Sequence, residues 1–366
     1  MPGLQRVGAE VMDTTTHRVE AAMAAVPRSH YIPDRAWDRG QPIDRSTDPE
    51  RWQALVDADD AVVTQVDQGA PDGPGLATSS SSAPSVMARM LDALDVAEGM
   101  RVLEIGTGTG YNAALLAHLV GGEGHVDTVE VDEEVAAGAR GRLAEAGLSN
   151  VAVHHGDGAA GHPDGGAYDR VIATCAVSRI PQAWISQAPG GVIVAPWTPH
   201  PRQPGGLLAR LQVRGNTASG RFAGDLAFMS IRGAGAPEPA ATGLNLEPDT
   251  AETVTTDPWE LLSPDSVWPL WITVPGWIYG MRRDDDLPWV MWIASTHEYG
   301  WARISPASEG YLAEQGGHRR VWDELTAAWQ WWHHHGTPDS TEFGLTVAPH
   351  GEHRTWFAPN GPTWTH

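Results

Sequence analysis

The chain reads Arg101-Val-Leu-Glu-Ile-Gly-Thr-Gly-Thr-Gly-Tyr111 at the point that decides its fold. The first five residues have the pattern of a short buried strand, glycines follow as a turn, and an apolar helix is predicted over Tyr111–Val120. Glycine lets the backbone turn sharply and approach a ligand where a Cβ would collide. The free N–H groups at the start of a helix favour an anionic group. This stretch therefore predicts a ligand site at the edge of a sheet.

The residues around this stretch alternate between strand and helix patterns. Further strands are predicted over 126–131, 151–155, 168–174 and 191–197, and a helix over 132–146. Two later strands, 207–213 and 225–231, are predicted to pair antiparallel at the sheet edge. Alternation of this kind implies a parallel sheet covered by helices. The predicted fold class is therefore α/β, with a Rossmann-like sheet that carries helices on both faces.

Composition divides the chain into four regions. They are an N-terminal helical segment with an irregular Asp/Pro/Gly/Ser-rich loop (1–84), the Rossmann-like core (85–233), a Pro/Gly/Ala-rich linker (234–245) and a smaller, mostly-β C-terminal domain (246–366). The C-terminal domain is rich in tryptophan. Its predicted elements are strands over 267–274, 289–294 and 300–304, a helix over 319–335, and a hairpin of 343–347 with 354–357.

Three groups of residues predict the ligand. The glycine turn supplies Glu104, Gly106, Thr107, Gly108 and Gly110, with G-x-G-x-G spacing rather than the G-x-G-x-x-G that fits a pyrophosphate. Glu130 ends the second strand, where a carboxylate can accept both hydroxyls of a ribose. Asp157 and Gly158 follow the third strand, where a carboxylate can accept an adenine amino group. The alternatives are an exposed strand-end Glu and a plain Asp-Gly turn. Together the three groups predict S-adenosyl-L-methionine as cofactor and S-adenosyl-L-homocysteine as product.

Charge and cysteine content exclude several classes of partner. The formal net charge is −22 and every basic residue is Arg, which argues against nucleic acid and anionic membranes as partners. The single cysteine, Cys175, excludes an intrachain disulfide, and no apolar run has the length of a membrane span. A cytoplasmic protein is expected. No metal site is predicted, because His333-His334-His335 are consecutive in a helix and point in different directions.

These residues resemble a known family, the protein-L-isoaspartate O-methyltransferases. The 101–111 stretch is similar to that family's cofactor signature, and residues 155–158 to its adenine-side motif. Val26-Pro27-Arg28, followed by Tyr31-Ile32-Pro33, resembles its N-terminal helix exit. Ser82-Ala83-Pro84 resembles its active-site Ser-x-Pro, and Phe228-Met-Ser-Ile231 the segment that closes its sheet. The resemblance runs from about residue 19 to residue 233.

Two departures from the family concern the acceptor. Between Asp38 and Ala77 a longer stretch replaces the family's short acceptor loop, and its Thr-Ile-Ser is here Ser80-Ser81-Ser82. The residues after Gly233 are expected to have no counterpart in the ordinary enzyme. They resemble an actinobacterial subgroup associated with the biosynthesis of ribosomal peptides (lanthipeptides, graspetides or lasso peptides). In that subgroup an ordinary Asp of a modified peptide is methylated, closes to a succinimide (aspartimide) and can open to isoaspartate.

The resemblance implies a carboxyl O-methyltransferase whose partner is a peptide or protein that bears Asp or isoaspartate. The Asp-directed activity is our leading hypothesis, and the repair of isoaspartyl sites in damaged proteins is the alternative. Ser82, helped by Ser81 or Ser80, is the candidate for orienting the acceptor through a hydroxyl hydrogen bond; a serine-rich loop without a role is the other interpretation. A small-molecule methyltransferase and a non-catalytic binding module are weaker alternatives. The oligomeric state stays open.

Overall fold

The computed structural model describes residues 17–199, 205–233, 241–263, 267–283, 289–358 and 360–366. Most of the predicted linker, residues 234–240, lies outside this set. The described chain divides into two compact units. The first contains the residues up to Cys175 with Pro181–Ala195 and Arg210–Ala218; the second contains Ala176–Ile180, the described part of Pro196–Ala209, and the described residues from Ser219 onward.

The N-terminal part of the first unit is a small antiparallel sheet, contrary to the irregular passage expected there. Helix α1 covers 17–25 among the described residues, and α2 is Pro49–Asp57. The strands are β1 (Arg35–Asp38), β2 (Gln41–Asp44), β3 (Val62–Val66) and β4 (Ala77–Ser81), in the order β2-β1-β3-β4. Trp52, Val56 and Val62 are buried within it. A few apolar residues of the short strands and of α2 thus build a core that composition did not reveal.

The central sheet of the first unit confirms the Rossmann-like prediction. Its strands are β5 (Arg101–Ile105), β6 (His125–Glu130), β7 (Val151–His155), β8 (Arg170–Ala173) and β9 (Val192–Trp197), parallel in the order β9-β8-β5-β6-β7. The helices are α3 (Pro84–Leu94), α4 (Tyr111–Val120), α5 (Glu133–Glu145) and α6 (Gln182–Gln187). Asp132 caps α5 by accepting from the N–H groups of Glu134 and Val135. The carboxyl ends of the strands therefore share one edge, as the site requires.

The next hairpin differs from the prediction in its second strand. Strand β10 is Leu207–Arg214, close to the predicted 207–213, but β11 is Thr217–Asp225 rather than 225–231. A two-residue turn at Gly215-Asn216, with Gly215 at φ 60°, is sufficient to reverse the chain. The residues after this turn are rich in Gly and Ser, yet they form a strand in which Ala218 and Phe222 are buried.

The second unit contains a five-stranded antiparallel sheet, in agreement with a mostly-β region. Its strands are β12 (Thr250–Val254), β13 (Trp277–Arg282), β14 (Val290–Ser295), β15 (Gly300–Pro306) and β16 (Tyr311–Gly317), in the order β12-β16-β15-β14-β13. The helices are α7 (Pro258–Leu261), α8 (Trp268–Thr273) and α9 (Val321–His334). The predicted strand over 267–274 is wrong, because Trp268 and Pro269 begin a helix that buries Leu270 and Trp271. Apolar runs of this length do not distinguish a strand from a buried helix.

The last three strands complete the second unit. They are β17 (Phe343–Val347), β18 (His353–Phe357) and β19 (Thr363–Thr365), in the order β19-β18-β17-β11. The predicted hairpin is thus confirmed as β17 and β18, with Leu345 opposite Thr355. Short 3-10 helices occur at Arg28–His30, Asp67–Gly69, Gly158–Ala160 and Ser340–Glu342. Among the described residues no helix is long and apolar enough to cross a membrane.

Candidate active site

The glycine turn between β5 and α4 has a backbone conformation that glycine tolerates best. Gly106, Gly108 and Gly110 have φ values of 93°, 52° and 87°, where a side chain is strained. A Cβ on Gly106 would lie 2.8 Å from Oγ1 of Thr174, and a Cβ on Gly108 would lie 3.3 Å from the carbonyl oxygen of Ser80. The turn is thus packed against β4 on one side and against the end of β8 on the other.

Glu104 lies fully buried behind this turn. Its Oε1 accepts from Nδ2 of Asn112 at 2.7 Å, and its Oε2 accepts from Oγ1 of Thr128 at 2.6 Å. Oγ1 of Thr128 also lies 2.7 Å from Oγ1 of Thr107. Burial raises the pKa of Glu104 to about 7, although both hydrogen bonds act in the opposite direction. The carboxylate therefore connects β6, the first turn of α4 and, through Thr128, the glycine turn.

Glu130 faces the glycine turn from the end of β6. Its Oε2 accepts the N–H of Gly108 at 2.9 Å, and its Oε1 accepts the N–H of Asp132 at 3.1 Å. A carboxylate oxygen has about two acceptor positions, so each oxygen retains one for a ligand hydroxyl. The N–H of Gly156 donates to the carbonyl oxygen of Glu130 at 2.9 Å. This bond holds the end of β7 beside the end of β6.

Asp157 and Gly158 come directly after Gly156 in the chain. Oδ1 of Asp157 accepts the N–H of Ala159 at 2.9 Å and caps the 3-10 helix Gly158–Ala160. The Asp157 side chain is nevertheless exposed, whereas Gly158 is buried and its carbonyl oxygen accepts from Nε1 of Trp184 at 2.8 Å. An exposed carboxylate next to a buried glycine fits the predicted adenine side of the site.

The serine segment is held beside the glycine turn. Ser80 and Ser81 belong to β4 and Ser82 follows it, so most of the run is strand rather than loop. The close approach of the Ser80 carbonyl oxygen to Gly108 places β4 next to the turn. Ser81 is buried, and Ser80 and Ser82 are partly exposed. The structure therefore brings the predicted acceptor residues to the predicted cofactor residues.

Arg28 is a residue of this site that sequence reasoning missed. Its buried guanidinium donates to five backbone carbonyl oxygens, those of Val56, Ala58, Asp60, Ser81 and Ser82, at 2.8 to 3.1 Å. Burial lowers the pKa of Arg28. The Val26-Pro27-Arg28 motif indicated the position, but nothing local indicated that this side chain holds the serine segment.

A groove lies beside the glycine turn. Residues of β3, β4, the turn and α5 line it, among them Gln65, Ser79, Gly108, Thr109, Glu134 and Arg142. Gln65 is fixed between Asp132, which accepts from its Nε2 at 3.0 Å, and Thr78, which donates to its Oε1 at 2.8 Å. Gln65 therefore connects the N-terminal sheet to the start of α5, close to Glu130.

Cys175 lies beside the glycine turn, with its Sγ 4.0 Å from the position of a Cβ on Gly106. Burial raises the pKa of Cys175 to about 12, so the thiol is protonated at neutral pH. His333 and His335 contact different rings, with centroids 4.5 Å from Trp329 and 4.3 Å from Trp331. They do not converge on a common point.

The strand order, the glycine turn and the acids at the strand ends are those of Rossmann-like S-adenosylmethionine-dependent methyltransferases. A family model described as Protein-L-isoaspartate(D-aspartate) O-methyltransferase (PCMT) matches residues 57–219. The Protein-L-isoaspartate O-methyltransferase of Methanococcoides burtonii is 37% identical over 183 residues, which cover 50% of this chain and 77% of that protein. The chain belongs to the protein-L-isoaspartate O-methyltransferase family.

Coverage differs among the relatives. The protein of the same name from Ignicoccus hospitalis is 46% identical over 121 residues, 33% of this chain and 57% of that one. The chain spans about half the length of the first curated relatives it matches, 57% and 48%. A solved structure named protein-L-isoaspartate O-methyltransferase has a TM-score of 0.53 and 18% identity, and the alignment covers 98% of both chains. That alignment includes the residues after Gly233, and at this identity it shows a shared fold alone.

Proposed function

We propose that this chain is an S-adenosylmethionine-dependent carboxyl O-methyltransferase that methylates isoaspartyl residues of peptides or proteins. The observation that carries the proposal is the pairing of the Glu130 carboxylate with the N–H of Gly108, beside the exposed carboxylate of Asp157. The acceptor is supported by family membership, since the relatives above are named for isoaspartate.

The residues of the site fit the cofactor. A Cβ on Gly108 would press against the Ser80 carbonyl at 3.3 Å, so glycine at this position lets the turn lie close to β4 and the serine segment. Glu130 would accept the ribose hydroxyls, Asp157 the adenine amino group, and the N–H groups at the start of α4 would face the methionine carboxylate. The cofactor would supply an electrophilic methyl group bound to a sulfonium.

The acceptor needs no general base in this site. An Asp side chain titrates at about 3.9, and the α-carboxyl that an isoaspartyl residue leaves free titrates at about 3.5. Both are ionised at neutral pH, so an oxygen lone pair is already available. What the protein must supply is orientation of that oxygen and exclusion of water. We assign the orientation to the hydroxyls of Ser82, Ser81 and Ser80, whose segment is fixed by the hydrogen bonds of Arg28 to the Ser81 and Ser82 carbonyls.

An ordinary Asp in a ribosomally made modified peptide is the second candidate acceptor. It is supported by the stretch that replaces the family's acceptor loop, which forms β2, α2 and β3, and by the Ser80-Ser81-Ser82 run. After methyl transfer, the backbone nitrogen of the next residue would attack the ester carbonyl, lose its proton and expel methanol. The product is a succinimide (aspartimide), which water can open to isoaspartate.

Mass spectrometry with matched peptides tests the acceptor. The purified full chain is incubated with S-adenosylmethionine and one of three substrates. Two are peptides of the same sequence, one with Asp and the other with isoaspartate at a single position. The third is the modified peptide encoded beside the gene of this chain. We expect the isoaspartyl peptide to gain the mass of one methylene, while the Asp peptide stays unchanged. Modification of the gene-neighbour peptide alone, ending one water lighter than it began, would instead establish the second candidate.

A variant of the cofactor site controls this assay. Glu130→Gln keeps the shape of the side chain but replaces one acceptor oxygen by an amide donor, so we expect at least a tenfold weaker binding of S-adenosylhomocysteine and a matching loss of methylation. Calorimetry measures the binding separately from turnover. A wild-type chain that binds S-adenosylhomocysteine but methylates neither carboxylate would reject the acceptor assignment, and a chain that does not bind it would reject the cofactor.

A further inference from the structure

A cluster of three imidazoles surrounds the buried carboxylate of Asp127 in the first unit, outside the site described above. Oδ1 of Asp127 lies 2.7 Å from Nε2 of His154 and 3.3 Å from Nε2 of His125. The ring of His162 stacks on that of His154, with centroids 3.8 Å apart. One ligand atom from each of Asp127, His154 and His162 lies within 4.8 Å of the others. From this juxtaposition we propose that the cluster is a binding site for one zinc-type divalent transition metal ion.

The carboxylate is oriented as a metal ligand would be. Oδ2 of Asp127 accepts hydrogen bonds from the hydroxyl of Tyr168 at 2.9 Å and from Nη2 of Arg101 at 3.4 Å. Oδ1 is the oxygen that faces the histidines. Metal-binding side chains are commonly fixed in this way by hydrogen bonds on their far side. The fold therefore presents one directed oxygen rather than a freely rotating carboxylate.

The distances need little adjustment. Zinc binds nitrogen and carboxylate oxygen at about 2.0 to 2.2 Å in tetrahedral geometry, which separates neighbouring donors by roughly 3.3 Å. Oδ1 of Asp127 and Nε2 of His125 already have that separation, 3.3 Å. The 2.7 Å separation from His154 must widen by about 0.6 Å, and His162 must turn its ring out of the stack. The carboxylate of Asp127 with the imidazoles of His154 and His162 suits Zn²⁺, and a water molecule would complete the tetrahedral coordination.

Access from solvent is compatible with this ligand set. The side chains of His125 and His154 are 39% and 31% exposed, which gives an ion a path from solvent.

The site would tie down the loop that carries Asp157. His162 lies just beyond the 3-10 helix Gly158–Ala160, for which Asp157 is the N-cap. Asp127 and His154 lie in β6 and β7. A metal bound to all three would link this loop to the two strands.

Metal titrations of the full chain test the proposal. After treatment with a chelator, calorimetry with Zn²⁺ should show one saturable site per chain, and Co²⁺ should give the visible absorption of a four-coordinate complex. His154→Ala and His162→Ala should each weaken Zn²⁺ binding by at least tenfold, and Tyr168→Phe by about tenfold. His118→Ala, an exposed histidine on α4, is the matched control and should bind as the wild type does.

The outcomes decide the matter without reference to methylation. Circular dichroism checks that each variant is folded, and His162→Asn, which keeps a polar side chain, replaces the alanine variant if that one unfolds. Zn²⁺ binding that is unchanged in the folded His154 and His162 variants would overturn the assignment. So would the absence of saturable binding, or a Co²⁺ spectrum with only the weak absorption of octahedral coordination.

Discussion

Replacing Glu104 by glutamine should change the pH dependence of stability, because the structure buries a carboxylate that prefers to be protonated. The pKa of Glu104 is raised from 4.5 to about 7. A difference of this size corresponds to about 3 kcal/mol between the protonation states, at 1.36 kcal/mol for each pKa unit. Glutamine has the same shape and no charge to desolvate, so the variant lacks this contribution.

The sign follows from where each state titrates. Below pH 4.5 Glu104 is protonated in both the folded and the unfolded chain, and its titration contributes nothing. Between pH 4.5 and about 7 the carboxyl ionises first in the unfolded chain, so the folded state loses stability as the pH rises. Above about pH 7 both states are ionised and the full penalty of about 3 kcal/mol remains. Glu104→Gln should therefore gain stability over the wild type between pH 5 and 8.

Urea unfolding followed by circular dichroism at several pH values measures this difference. Because the chain has two units, the free energies are compared for the transition that the substitution moves. Glu123→Gln, which removes an exposed carboxylate, is the control and should follow the wild type at every pH. If the difference between Glu104→Gln and wild type does not depend on pH, or falls as the pH rises, the burial argument is wrong.

Two further substitutions address the loop and the serine segment. Gly108→Ala places a side chain at φ 52° and 3.3 Å from the Ser80 carbonyl oxygen, which costs about 1–2 kcal/mol. Calorimetry should show about tenfold weaker binding of S-adenosylhomocysteine. Unchanged binding would contradict the proposal that the glycine turn contacts the cofactor. Arg28→Ala leaves the carbonyls of Ser81 and Ser82 without their buried donor at about 1–3 kcal/mol each. In this variant the KM for the acceptor should therefore rise more than the Kd for the cofactor. Arg28→Lys should recover only part of the loss because lysine has fewer hydrogen-bond donors. Equal effects on KM and Kd would mean that Arg28 does not act through the serine segment.

The strands and the helix that carry the predicted cofactor residues can be placed from the sequence because their signals are local. The strand at 101–105, the glycines after it and the helix after them are contiguous, and they occupy the positions predicted for them. Glu130 and Asp157 follow strands of the same sheet, so the parallel topology alone brings them to one edge. In a parallel sheet, a residue at the carboxyl end of a strand can therefore be placed at this edge from its position in the sequence.

The acceptor side could not be predicted because its contacts are distant in the chain. Arg28 reaches Ser81 and Ser82 across more than fifty positions, 53 and 54, and neither end carries a pattern that names the other. The strand over 267–274 was wrong for another reason: an apolar run of eight residues suits a buried strand and a buried helix equally. Asp127, His154 and His162 likewise meet only through the pairing of β6 with β7 and the loop that follows.

The burial of Glu104 also explains why a destabilising carboxylate belongs in this position. Its two oxygens accept from Asn112 and Thr128, and Thr128 in turn lies 2.7 Å from Thr107 in the glycine turn. An ionised carboxylate accepts hydrogen bonds at both oxygens, whereas the side-chain NH₂ of glutamine can only donate. In Glu104→Gln this NH₂ would face either the Nδ2 donor of Asn112 or the hydroxyl of Thr128. The substitution that removes the penalty of about 3 kcal/mol therefore also disturbs the contacts that shape the turn. Glu104→Gln should therefore raise the stability of the fold and lower its affinity for the cofactor. Opposite changes of this kind are expected when a buried charge is retained for the function of a site and not for the stability of the fold.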